Sequence, residues 1–183
     1  MAHINFNNEL PGILGPMIYK GATGLALNNL AETILRGPST LSQGEREVIA
    51  GVVSYFNECH FCHRSHAAAA EFCLDKPAGY VKKVASDIEG SDVSPKMKAL
   101  LQIAKKVQKD GRTVVTTDIK RAKDNGATEE EIHDTVLVAA AFCMFNRYVD
   151  GLGTFAPAEG DAYYIASGKR LGTDGYMSPK PMN

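Results

Sequence analysis

Ten residues, Asn57 to His66 (NECHFCHRSH), hold two cysteines three positions apart and three histidines. On a helix, Cys59 and Cys62 share a face and their sulfurs can meet. A C-x-x-C at a helix start closes a disulfide with little strain, and the N-terminal dipole there favours thiolate. His66 lies one turn beyond Cys62, where an imidazole can accept the thiol proton, so the two form a candidate nucleophile and base. His63 stands in the same relation to Cys59, or points to solvent. A third group should orient His66, and Glu47 is the candidate. Eleven residues separate it from Cys59, and antiparallel packing of two helices about a turn at Asn57 would bring it near the pair. Its neighbours Val48, Ile49 and Val52 are apolar. A carboxylate buried there needs a charged or hydrogen-bonded partner, which His66 would supply.

Other readings of these residues exist. Cys59, Cys62 and a histidine are good zinc ligands, but a closed zinc site draws ligands from two segments, and the chain has no second C-x-x-C and no H-x3-H. No metal is therefore expected. The pair could also be two buried thiols beside surface histidines, and Glu47 a solvated carboxylate on a helix face. His60, His63 and His133 read as surface residues. Cys73 and Cys143 stand alone in apolar segments and read as small core residues with inert thiols.

The elements that must position these groups are helical. Residues 1–21 hold Pro11, Gly12, Gly15, Pro16 and Gly21, too many breakers for a long element, and suggest a wrapping arm. A helix over Leu25 to Leu35 stops at Gly37–Pro38. Ser42 and Glu45 make a capping box for the helix that carries Glu47, and the next helix should run from about Glu58 to Leu74 with the C-x-x-C at its start. Shorter helices are expected over Tyr80 to Asp87 and over TTDIKRAKDNG, and an amphipathic one from Ser94–Pro95 to Asp110. Thr128 and Glu131 cap the longest and most apolar helix, which stops at Gly151–Gly153. A short helix near Asp161 to Gly168 and a loose tail over 170–183 complete the chain. TVVTT (Thr113 to Thr117) is the one β-branched run. The fold class expected is all-α, one domain over 1–183 with the apolar 128–151 helix buried at its centre.

The balance of charge narrows the partners. With 20 basic and 21 acidic residues, a net charge of −1 and no dense basic block, neither nucleic acid nor an anionic membrane surface is expected. The amino terminus lacks the pattern of a signal peptide, and VLVAAAFCMF is too short to span a bilayer. Four cysteines without an export signal suggest the cytoplasm, where a cysteine pair is more often catalytic than structural.

Glu47, eleven residues, Cys59, two residues, Cys62, three residues and His66 together resemble the E-x11-C-x2-C-x3-H motif of the AhpD-like alkylhydroperoxidase group, in the carboxymuconolactone decarboxylase superfamily. LSQGEREVIAGVVSYFNECHFCHRSHAAAA resembles that group's core segment. AAAFCMFNRYVDGLG resembles the FNR-x-x-D-x-LG segment of its peroxidase-related branch. The resemblance implies an all-α AhpD-like bundle that assembles into homo-oligomers, trimers or hexamers, and thiol-dependent reduction of hydroperoxides. Glu47 would polarise His66, which, through a water, would help deprotonate Cys62. Cys62 would be oxidised by the peroxide to sulfenic acid, Cys59 would condense with it to a disulfide, and an external dithiol or disulfide reductase would restore the pair. It implies no metal, haem or flavin. One departure is Phe61, which stands where the best-known members carry a further histidine just before the second cysteine. The helix dipole favours Cys59 as thiolate and His66 favours Cys62; the histidine decides our assignment.

Asn146, Arg147 and Asp150 occupy the last turns of the apolar helix, where Arg147 and Asp150 could simply pair. Two further functions fit the same fold. One is a carboxymuconolactone-decarboxylase-type lyase, which does not need a redox cysteine pair. The other is a non-catalytic redox sensor or binding module that forms the Cys59–Cys62 bond without turnover.

Overall fold

The computed structural model describes residues 2–177. Nine α-helices and one 3₁₀ turn make up the regular structure of the described residues, without a strand: α1 (Leu14–Tyr19), α2 (Gly21–Arg36), α3 (Gln43–Phe56), α4 (His60–Cys73), α5 (Tyr80–Ser86), α6 (Pro95–Asp110), the turn Gly111–Thr113, α7 (Thr116–Asp124), α8 (Glu129–Gly151) and α9 (Ala162–Asp174).

Local chemistry sets the helix ends as the sequence suggests. Ser42 and Glu45 form a capping box at the start of α3, and Thr128 and Glu131 do so for α8, each pair satisfying backbone N–H groups that a helix start leaves unpaired. Ser94 caps α6 with Pro95 at its first turn. The β-branched run ends in helix instead of strand, since the Asp118 carboxylate accepts from the Val115 N–H and starts α7 there.

The core is organised around α3. Val48, Ile49, Ala50, Val52 and Val53 are all buried, and the helix packs against α4, α5, α6 and α8. α8 is buried along one face only. Val138, Ala139, Phe142 and Phe145 point inward, while His133, Leu137, Met144 and Arg147 form an exposed stripe.

α4 is held between α3 and α9, and a glycine sets the separation from α9. On one side, a Cβ at Gly51 of α3 would press on the Val81 side chain of α5 at 3.0 Å and make only ordinary contact with the Ala67 backbone. On the other, a Cβ at Gly168 of α9 would lie 2.6 Å from the Ala68 carbonyl carbon, so only hydrogen fits between these backbones.

The N-terminal residues wrap the molecule. The His3 N–H donates to the Leu152 carbonyl and the Gly12 N–H to that of Phe155. Part of the arm is helical, as α1. The loose tail expected from residue 170 begins later: α9 continues to Asp174, because Leu171 is buried and the Arg36 guanidinium caps its carbonyl. Residues 175–177 then fold back over α2, with the Tyr176 N–H donating to Glu32. The rest of that tail lies outside the described residues.

Gly168→Ala should force α9 away from α4. A fall in unfolding free energy of about 1–3 kcal/mol in urea melts is the expected cost of such overpacking; an unchanged midpoint would mean that the two helices have slack.

Candidate active site

Glu47 lies in the middle of α3 with its side chain wholly buried. Three donors converge on it. His66 Nδ1 donates to Oε2 at 2.7 Å. Arg36 Nη2 and the Tyr176 hydroxyl each donate to Oε1 at 2.6 Å. They come from α4, from the last residue of α2, and from the segment after α9. Burial by itself would push the Glu47 carboxyl up; the charge and hydrogen bond of His66, the charge of Arg36 and the bond from Tyr176 outweigh it and hold the group below the usual carboxylate range. Burial and the Glu47 charge raise Tyr176 far above an ordinary phenol, so it stays protonated and remains a donor. Its ring also stacks beneath the Arg36 guanidinium at 5.1 Å.

Glu47 and His66 are thus brought together as the spacing suggests. Arg36 and Tyr176 were not anticipated. A cue existed for the first, because a fully buried carboxylate is rarely satisfied by one titratable imidazole and a further cation was worth seeking. No sequence signal marked Tyr176, which reaches the site through tertiary packing alone.

With Nδ1 committed to Glu47, Nε2 is the nitrogen His66 can offer elsewhere. The ring packs edge-on against Phe142 at 4.5 Å, and both line a cavity of about 1010 Å³ together with Cys62 and Phe61. Cys62 lies in the first turn of α4, and Cys59 occupies the cap position just before that helix. Glu58, at φ +59°, makes the sharp turn that sets this entry. Both sulfurs are free and buried, and they border different spaces. Cys59 lines a second cavity of about 830 Å³ together with His60, His63 and Glu159. Its hydrogen bond to Cys62, followed by burial and the charge on Cys62, pushes the Cys59 thiol well up. The dipole at the cap does not offset these effects on Cys59.

Phe61 is buried, and its ring fills the place that a side chain on Gly12 would need; Gly12, at φ +54°, has none. The apolar wall beside the sulfurs is therefore built partly by the N-terminal arm. His60 and His133 are exposed as expected, but His63 is half-buried. Its Nδ1 lies 2.9 Å from the Gly51 carbonyl, and burial holds its pKa below the ordinary value. Cys73 and Cys143 are only half-buried, since Cys143 meets the polar groups of Asn57 and Gln108 and Cys73 sits near the surface end of α4. Asn146 is buried, accepting from Asn57 and donating to Ser54, while the exposed Arg147 turns back to the Cys143 carbonyl. Among the described residues no cluster of three potential ligands could hold a metal.

Residues 22–71 match the carboxymuconolactone decarboxylase family, the stretch that holds Arg36, Glu47, both cysteines and His66. The likeness to that family is carried by this stretch. A structure described as "alkylhydroperoxidase AhpD core: uncharacterized peroxidase-related protein", from Ralstonia eutropha JMP134, superposes with a TM-score of 0.77 at 24% identity, over 87% of this chain and 82% of its own. An "uncharacterized peroxidase-related protein" from Silicibacter sp. TM1040 gives 0.74 at 24% identity, over 81% of this chain and 78% of its own. At that identity the two structures speak for the AhpD-like fold. No curated protein matches the chain. No helix of the described residues is long and apolar enough to cross a membrane.

Glu47 sets an acid-sensitive part of stability. A carboxyl whose folded pKa is depressed contributes stability that is complete above its unfolded pKa, here taken as 4.5, and lost as pH falls through the folded value. Glu47→Gln should therefore cost about 3–5 kcal/mol at neutral pH by stranding Arg36, and the difference from wild type should shrink below pH 4.5. Parallel curves in pH-resolved urea melts would contradict the depressed pKa. Tyr176→Phe removes one charge-assisted bond and should cost about 1.5–3 kcal/mol at neutral pH in the same melts.

Proposed function

We propose that this protein is a thiol-dependent peroxidase that reduces organic hydroperoxides through Cys62 and Cys59. The observation that carries the reading is that Cys62 and His66 open into one cavity, while the far nitrogen of His66 is held by a fully buried carboxylate. That arrangement is a nucleophile, a base and a group that orients the base.

Glu47 fixes the His66 ring with Nδ1 protonated, so Nε2 is the basic nitrogen and takes the proton of Cys62. The thiolate attacks the outer peroxide oxygen. The O–O bond breaks, sulfur gives up two electrons, and the alkoxide leaves as alcohol with the proton returned by His66. Cys62 is then a sulfenic acid. The Cys59 sulfur attacks Cys62, expelling water as its own proton is lost, and an intramolecular disulfide forms. An external dithiol reduces it by exchange. The elevated Cys59 thiol suits this order, because the proton stays on the second sulfur until the first has been oxidised. The residues ask for no metal or organic cofactor in these steps. Action in the cytoplasm and assembly into trimers or hexamers accompany this reading.

Mixing the fully reduced protein with cumene hydroperoxide in a stopped-flow instrument and counting thiols tests it. Wild type should lose two thiols rapidly, Cys59→Ser should trap a sulfenic acid at Cys62, and His66→Ala should slow the first step by about 10²–10⁴-fold. If neither cysteine outpaces a free thiol, the peroxidase reading fails and the lyase or sensor reading takes its place.

A further inference from the structure

The cavity beside Cys62 is much larger than a small peroxide requires, and its charge is one-sided. At about 1010 Å³ it matches the size of pockets that enclose whole organic ligands. Among the described residues neither an aspartate nor a glutamate lines it. Glu47 stands behind His66 and is neutralised by Arg36. The cavity beside Cys59 differs: Glu58, Glu71, Glu159 and Asp161 border it together with Arg64 and Lys82.

One face of α9 supplies the far wall. Tyr163, Ser167 and Arg170 follow one another at helical spacing along it. The Arg170 Nε is buried without a hydrogen-bond partner among the described residues, and so is the Oγ of Ser65, which lines the same space from α4 and is 4% exposed. Buried donors are seldom left unpaired unless something else completes them. Tyr163 packs against Phe61, with ring centroids 6.1 Å apart, so it marks the level of the thiol. Arg170 is seven residues further along α9, about 10 Å at 1.5 Å per residue.

We infer that this cavity takes an elongated organic acid whose carboxylate sits on Arg170 while a hydroperoxide at the other end reaches Cys62. Arg170 supplies a fork of donors that a carboxylate can accept in pairs. The apolar walls from Phe61, Phe142 and the arm hold the chain between the two ends. The assignment rests on the peroxidase reading for its reacting end and on the cavity alone for its anionic end.

Calorimetric titration of the reduced full chain with nonanoate and with methyl nonanoate separates the two. Nonanoate should bind at least about tenfold more tightly than the ester. Arg170→Gln should abolish that difference and leave the ester unchanged, and Arg170→Lys should keep most of it. In the reaction, ω-hydroperoxynonanoate should lose about tenfold in its second-order rate in Arg170→Gln, with cumene hydroperoxide unaffected. Equal binding of acid and ester, or indifference of both to Arg170→Gln, would overturn the assignment even if cumene hydroperoxide is consumed. Arg170-dependent binding of nonanoate without any thiol oxidation would sustain the anionic site and remove the peroxidase.

Discussion

The structure depends on one carboxylate, that of Glu47, buried where α2, α4 and the segment after α9 meet α3. Removing Glu47 from water costs several kcal/mol unless its charge is matched and its lone pairs are filled. The chain meets that demand with groups from three places: the end of α2, the first half of α4 and the segment after α9. The same contacts that make the charge tolerable also fix the register of these elements. An imidazole held by a fully buried carboxylate, with a guanidinium and a phenol on its other oxygen, has one orientation. The residues that order the base are those that hold the ends of the fold together.

Packing density reinforces that order. Gly168 lets α9 close on α4, and the turn from Asn57 to Cys59 is tied to α3 by the Cys59 N–H donating to the Ser54 carbonyl. Glu58 adopts a left-handed conformation there, one that costs energy for a residue with a Cβ and persists only where the surroundings over-determine it. The thiols are therefore presented from a rigid base, and differences in their environment follow from position along one helix start.

Much of this was legible in the sequence because it is local. Capping boxes at Ser42 and Thr128, the breaks at Gly37–Pro38 and Gly151–Gly153, and the Glu47–Cys59–Cys62–His66 spacing all act over a few residues or across one helical hairpin. What was missed is nonlocal. Tyr176 is 129 residues from Glu47 along the chain, and its Gly-rich, Pro-rich neighbourhood looks like an untethered end. α8 seemed a fully buried helix because its run of apolar letters hides a stripe of exposed Leu137 and Met144, a distinction that hydrophobicity cannot make without knowing which neighbours are present. His63 reads as a surface residue because no letter nearby announces that the Gly51 carbonyl faces it.

α4 is a partition wall as well as a scaffold. Its first turn presents Cys62 to the largely apolar chamber that His66 lines, and its cap residue Cys59 faces the second chamber. The two sulfurs are close enough to share a hydrogen bond, yet a molecule that fills one chamber leaves the other empty. The two ends of the thiol pair are reached from separate spaces, one mostly apolar and the other lined by charges of both signs. The wall carries the thiol pair through itself while keeping the two spaces apart.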